Sequence, residues 1–198
     1  MKRIVKILTA VAAALLILVG SIAVGSVNLS PGQVAEILMA KLSGGSGTVD
    51  PNLSAIVWEM RFPRAVLAFL TGAALSASGT VMQSILKNPL ASSYTLGVSS
   101  GASLCAALVM VTGVTFPLLG SLFTLPAAGF AGGLATVFLA LAFAARLDGK
   151  MENQTVILVG MVFSLFVNAI LTLITALSRE HLQQMVFWQM GGFTGRNW

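Results

Sequence analysis

Residues 88–145 read NPLASSYTLGVSSGASLCAALVMVTGVTFPLLGSLFTLPAAGFAGGLATVFLALAFAA, and none of them is Asp, Glu, Lys or Arg. Lys87 and Arg146 bracket these 58 consecutive uncharged residues, which are rich in Gly, Ala and Ser. A helix needs about 20 predominantly apolar residues to cross the hydrocarbon core of a bilayer, so the stretch is long enough for two crossings. A soluble domain of this size does not leave so long a run without charge. The sequence therefore predicts an all-α fold, a polytopic transmembrane helical bundle.

The rest of the chain agrees. It is 57% hydrophobic and 9% charged, with a mean hydropathy of +0.93, against about 25% charge in ordinary soluble domains. The 11 basic residues form no patch. They sit at the ends of apolar segments, where they report topology rather than a nucleic-acid partner. The single cysteine, Cys105, lies in an apolar run and allows neither an internal disulfide nor a cysteine-based metal site.

Charge-free windows and turn residues place five spans, at about 7–27, 65–86, 96–113, 126–145 and 154–177. Lys2, Arg3 and Lys6 precede the first and resemble the start of a secretory signal, with Ser21-Ile22-Ala23 as a small-x-small site. Ile7 to Val27, however, is 21 residues without a charge, longer than the roughly 7–15 of a signal core. It reads as an uncleaved span. Pro117 and Pro126 punctuate the connection before the fourth span.

With the N-terminus in the cytoplasm, the inner segments carry Lys2, Arg3, Lys6, Lys87, Arg146 and Lys150. The outer ones carry Lys41, Arg61, Arg64, Arg179 and Arg196, a small bias in the positive-inside sense. One outer segment contains a candidate amphipathic helix, Pro31 to Leu42, with Ser30 as its N-cap. Ser178 to Trp198 mixes aromatic and polar residues as interfacial segments do.

Small residues point to close helix packing. Gly72, Ser76 and Gly79 lie in one Gly/Ala/Ser run, and Gly97 with Gly101 and Gly129 with Gly133 repeat a four-residue spacing. Helices in lipid associate through such residues. No Asp, Glu, Lys, Arg or His falls within the five spans, which disfavours proton-coupled pumps and intramembrane hydrolases. No Gly-x-x-x-x-Gly-Lys-Ser/Thr phosphate loop is present, so this polypeptide is not expected to hydrolyse ATP.

Several motifs between Arg61 and Leu104 occur in a specific order: Arg61-Phe62-Pro63-Arg64, the small-residue span ending Met82-Gln83, Lys87-Asn88-Pro89-Leu90-Ala91, and Leu96-Gly97-Val98-Ser99-Ser100-Gly101-Ala102. With Trp188-Gln189-Met190-Gly191 near the C-terminus, they closely resemble the FecCD/BtuC-type permeases, membrane subunits of ABC importers for iron-siderophores, haem and cobalamin. The resemblance covers essentially the whole chain.

It implies a multi-pass permease of the prokaryotic cytoplasmic (inner) membrane with about ten helices, pairing with a second permease subunit as a homodimer or close heterodimer. Two cytoplasmic ATPase subunits would use the ATP, an extracytoplasmic substrate-binding protein would deliver the substrate, and this chain would bind no cofactor or metal itself. Family members are longer, so five spans ending at Trp198 are expected to be the N-terminal half, a fragment or truncated reading frame without the coupling segment. An iron-siderophore or related metal chelate is the expected cargo, with haem or cobalamin as the nearest rival. A truncated non-transport membrane scaffold is the alternative of a different class.

The same resemblance assigns roles. Arg61 and Arg64 match positions that present guanidinium groups to acidic residues of the binding protein; the plainer alternative is interfacial anchoring, with Pro63 starting the helix. Asn88 and Leu90 fall at the expected cytoplasmic mouth with Asn153 and Gln154, a candidate inner gate of groups that need not ionise. The alternative there is ordinary loop capping.

Overall fold

The computed structural model describes residues 2–44, 50–92, 94–117 and 120–193. Regular structure among them is entirely helical. Four helical stretches are long and apolar enough to cross a membrane: Arg3–Ala23, Pro51–Leu86, Leu122–Leu147 and Asn153–Leu177. The described residues divide into two compact units, those up to 74 together with 193, and those from 75 to 192.

In the first unit, α1 (Lys2–Ala23) is followed by α2 (Pro31–Ser43). The expected start of α2 is present in full. Ser30 Oγ accepts from the Gln33 amide at 3.3 Å, and the Gln33 side chain accepts from the Ser30 amide at 2.9 Å. This reciprocal capping box satisfies two amides that a helix start otherwise leaves open, with Pro31 pre-set for the first turn. Gly44, left-handed at φ 70°, closes the other end. Val34 and Ile37, three residues apart, form its buried stripe. They pack with Ile22, Leu29, Val57 and Ala65 in the core of this unit.

A continuous helical stretch then begins at Pro51, with the Asp50 side chain accepting from the Asn52 amide at 2.8 Å. It runs through α3 (Pro51–Ala55), a π-helical turn (Ile56–Arg61) and α4 (Phe62–Leu86). Pro63 thus does not start a helix. It follows a turn in which the Phe62 amide bonds back to the Val57 carbonyl, five residues away. Proline brings no N–H, and the widened turn before it accommodates that break in the α pattern. Trp58 and Phe62 stack across the turn at 5.2 Å.

The second unit is built from the end of α4, α5 (Val98–Thr112), α6 (Gly120–Leu147), α7 (Asn153–Leu177) and α8 (Leu182–Met190). Helix α5 packs on both α6 and α7, and α8 packs on α5 and α7. The expected span at 96–113 forms a helix of 15 residues, about 22 Å long at 1.5 Å per residue. Left-handed glycines stop it at both ends, Gly97 (φ 76°) and Gly113 (φ 66°). The next helix starts at Gly120, so Pro126 lies inside α6 rather than before it. Thr124 stiffens this first turn, donating to the Gly120 carbonyl at 2.8 Å and accepting from the Phe116 amide at 3.2 Å.

Candidate functional site

The two arginines expected to face a partner differ in their surroundings. Arg61 is half-buried. Its Nη1 donates to the carbonyls of Ile22 (3.0 Å) and Ala23 (3.1 Å), and its Nη2 to that of Val27 (2.6 Å). Arg64, three residues on, is also half-buried, and its Nε is buried with no hydrogen-bond partner among the described residues. Both line an open pocket of about 430 Å³ with Ser21, Val24, Gly25 and Ser26.

The candidate gate residues belong to the second unit. Asn88 closes a turn on itself: its Oδ1 accepts from the Leu90 amide at 2.9 Å and its carbonyl from the Ala91 amide at 3.1 Å. That conformation turns the chain out of α4 and leaves Leu90 83% exposed, while the next residue, Ala91, is buried. Ala91 packs with Leu86, Leu96, Ala144 and Val156. This cluster brings the Asn88 loop to the end of α7 that begins with Asn153 and Gln154, of which Asn153 is half-buried and Gln154 exposed. The Asn88 side chain thus caps its own turn, and that turn packs close to the start of α7.

Asp148, which sequence reasoning passed over, organises the neighbouring turn. Its Oδ1 accepts from the Lys150 amide (3.0 Å), and its Oδ2 from the Glu152 amide (2.9 Å) and Thr155 Oγ1 (3.1 Å). The signal available in sequence was the turn dipeptide Asp148-Gly149 between two apolar runs. The Glu152 amide first, then that of Lys150, holds the Asp148 carboxyl below the ordinary 3.8. Because these donors favour the anion, the turn is fully braced above the unfolded value of about 3.9. Bracing is lost as pH falls through the lower folded value. Amide shifts of Lys150 and Glu152 should therefore titrate together with a midpoint below 3.8. Asp148→Asn should abolish that titration; a midpoint at the ordinary carboxylate value would show the bonds to be unimportant.

The small residues separate into two groups. A Cβ built on Gly132 would lie 2.6 Å from Cys105 Sγ and also against the Gly101 carbonyl, and one on Gly101 would meet Gly132 and Thr136. On Gly160 it would lie 2.5 Å from the Thr95 carbonyl and 3.1 Å from Leu96 Cα. These contacts seat α5 on α6 and the Thr95–Leu96 turn on α7. Hydroxyls bond beside them: Ser100 Oγ donates to the Gly97 carbonyl (2.9 Å) and lies 3.2 Å from Ser164 Oγ. Gly97 and Gly133 are also closely approached, by Thr136 Cγ2 and Val98 Cγ1 at 3.0 and 3.2 Å, whereas Gly129 makes ordinary contact with Trp188 at 3.5 Å.

Gly72 and Gly79 behave otherwise. A Cβ on either would meet nothing within 4 Å, and Ser76 between them is exposed. Their expected packing role is not realised within the described residues, because this face of α4 has no neighbour there. Spacing reports that a helix can be approached closely, not that it is. Gly132 and Gly160, which carry the tightest contacts together with Gly101, were not singled out, since Gly160 has no glycine partner at four-residue spacing.

Between α7 and α8 lies a second open groove of about 560 Å³, in which Asn168, Thr172, Thr175, Arg179 and Gln189 interrupt an otherwise apolar lining. Polar side chains on a bilayer-length helix normally face a protein interior or a water-filled path.

Compared with known proteins, residues 12–198 match the FecCD transport family model. The chain belongs to the FecCD transport family. It is 40% identical over 178 residues to the uncharacterized ABC transporter permease protein YvrB of Bacillus subtilis (strain 168), covering 89% of this chain and 50% of that one. It is 35% identical to the vitamin B12 import system permease protein BtuC of Pectobacterium atrosepticum, covering 76% and 44%. To the molybdate import system permease protein MolB of Haemophilus influenzae it is 35% identical, covering 90% and 51%. Among solved structures it resembles a metal-chelate type ABC transporter in an inward-facing conformation, with a TM-score of 0.74, 28% identity, and 98% and 55% of the two chains covered.

The chain spans about half the length of the curated relatives it matches. Family and helices together make this a multi-pass membrane protein of the FecCD transport family, and the relatives it matches carry the names of ABC transporter and import-system permeases.

Proposed function

We propose that this FecCD chain is the permease subunit of a binding-protein-dependent ABC importer that moves an iron-siderophore or related metal chelate inward across the cytoplasmic membrane. The likeness to a metal-chelate type transporter over 98% of the chain carries that reading. The polypeptide works with a second permease subunit, two cytoplasmic ATPase subunits that use ATP, and an extracytoplasmic binding protein. Its N-terminus is cytoplasmic, and the Asn88 turn with Leu90, Asn153 and Gln154 lies at the inner mouth. The groove between α7 and α8, with apolar, hydroxyl and amide side chains and Arg179 in its lining, suits bulky cargo that must be held loosely and released.

Arg64 supports the docking part. Its side chain lines an open pocket, and a planar guanidinium at such a position pairs readily with a carboxylate brought by a binding protein. In cells carrying the intact transporter, Arg64→Glu should lower chelate uptake at least about tenfold, the order expected for losing one buried charge pair at an interface. Membrane insertion should remain normal. Unchanged uptake together with unchanged binding-protein affinity would remove Arg64 from the docking surface.

The vitamin B12 relatives favour cobalamin as the second reading. Uptake of an iron-loaded siderophore and of labelled cobalamin by the same cells separates the two cargoes. Transport of cobalamin alone would replace the chelate reading.

A further inference from the structure

We infer that Arg61 is a clasp, holding the C-terminal end of α1 against the π-helical turn, and that Gly25 is the residue that makes room for it. A helix leaves its last carbonyls without intrahelical partners. In α1 these include Ile22 and Ala23, and both are bonded by Arg61 from almost forty residues along the chain, as is Val27 just beyond the helix. A fixed positive charge also sits where the negative end of the helix dipole favours it. The planar guanidinium, with five donors in a rigid fork, is suited to reach three carbonyls on two sides of one bend.

Gly25 completes the arrangement. A Cβ there would lie 2.6 Å from Arg61 Nη2 and 2.7 Å from its Cζ, so the guanidinium occupies the space that a side chain would need. Ile22 and Val57, both essentially inaccessible to solvent, close the apolar side of the same junction. The arginine pair thereby divides its work. A carboxylate arriving at this end of the helix meets Arg64, whereas Arg61 could receive it only by releasing the end of α1.

The clasp consists of contacts within the first unit and does not depend on what the protein transports. Hydrogen exchange read by mass spectrometry on the full chain in lipid nanodiscs tests it directly, with no partner added. Arg61→Ala should speed exchange of the amides at 20–24, the hydrogen-bonded last turn of α1, about tenfold or more, as local opening replaces a held helix end. Arg61→Lys, still able to donate to a carbonyl, should fall between. Gly25→Ala should speed exchange of the same amides while leaving Arg61 and every charge in place. Arg64→Ala should exchange at 20–24 as the wild type does, and amides of α7 should be unaffected in all four, reporting an intact second unit. Wild-type exchange at 20–24 in Arg61→Ala or in Gly25→Ala would overturn the clasp, as would an Arg64→Ala effect equal to that of Arg61→Ala. Should Arg61→Ala fail to accumulate as folded protein, Gly25→Ala decides the question.

Discussion

Gly132→Val should cost this protein its packing between α5 and α6. A side chain at Gly132 runs into Cys105 on one side and the Gly101 backbone carbonyl on the other. Overpacking a well-filled interior costs about 1–3 kcal/mol even where neighbouring side chains can move. Backbone yields less than a side chain, so the effect should lie near 3 kcal/mol. For a chain of this size that corresponds to a fall in Tm of about 6–12 °C. Thermal unfolding of the purified protein reads it, with Gly129→Ala and Gly72→Ala as controls. A new methyl at Gly129 makes ordinary contact at 3.5 Å, and one at Gly72 touches nothing. If Gly132→Val unfolded at the same temperature as those controls, the α5–α6 contact could not be as close as described.

The second large effect is expected at Gly160, where α7 meets the turn leading into α5. Thr95 anchors that turn locally, donating through Oγ1 to the Ser92 carbonyl at 2.6 Å and accepting from the Ser92 amide at 3.3 Å. Its own carbonyl lies against Gly160. Gly160→Val must therefore lift the whole segment between Asn88 and Gly97 from α7, because the turn is too tightly bonded to bend around the intruding methyl groups. Ala91, 2% exposed, reports this movement. With Cys105→Ala removing the native thiol and Ala91→Cys supplying one, maleimide labelling should accelerate about tenfold or more in the Gly160→Val background, as expected for local opening. Equal labelling rates in the two backgrounds would mean that Gly160 does not seat the turn.

Much of the helical layout was legible in the chain. Charge-free runs located the bilayer-length helices, and Ser30 and Pro31 announced the start of α2 through local chemistry alone. Errors arose where one residue type serves two purposes. Pro126 reads as a terminator but is held inside α6, and Pro63 reads as a helix start but follows a π turn. Gly97 and Gly113 were visible as glycines, and their left-handed φ values set the shorter length of α5.

The site was less legible. The partners of Arg61 lie 34 to 39 residues away in sequence, and no local pattern connects a guanidinium to carbonyls at such a distance. Likewise Gly72, within a run of small residues, carries the sequence signal for close approach and Gly160 does not, yet of the two only Gly160 is approached within the described residues. What separates them is the path of the backbone, which local spacing does not contain.

The π turn at Ile56–Arg61 has a further consequence for the angular phase of this helical stretch. A regular α-helix advances about 100° per residue, so one residue of slack offsets everything before the turn from everything after it by that order. A helical wheel drawn straight through residues 51–86 therefore superimposes two faces that point in different directions. Leu53 and Phe62 both contribute to one apolar cluster, although a single uninterrupted wheel would place them, nine positions and two and a half turns apart, on opposite sides. The extra residue acts as a phase shifter: it lets one continuous helix bring both ends of its first three turns to the same core, while still delivering Arg61 to the carbonyls of α1.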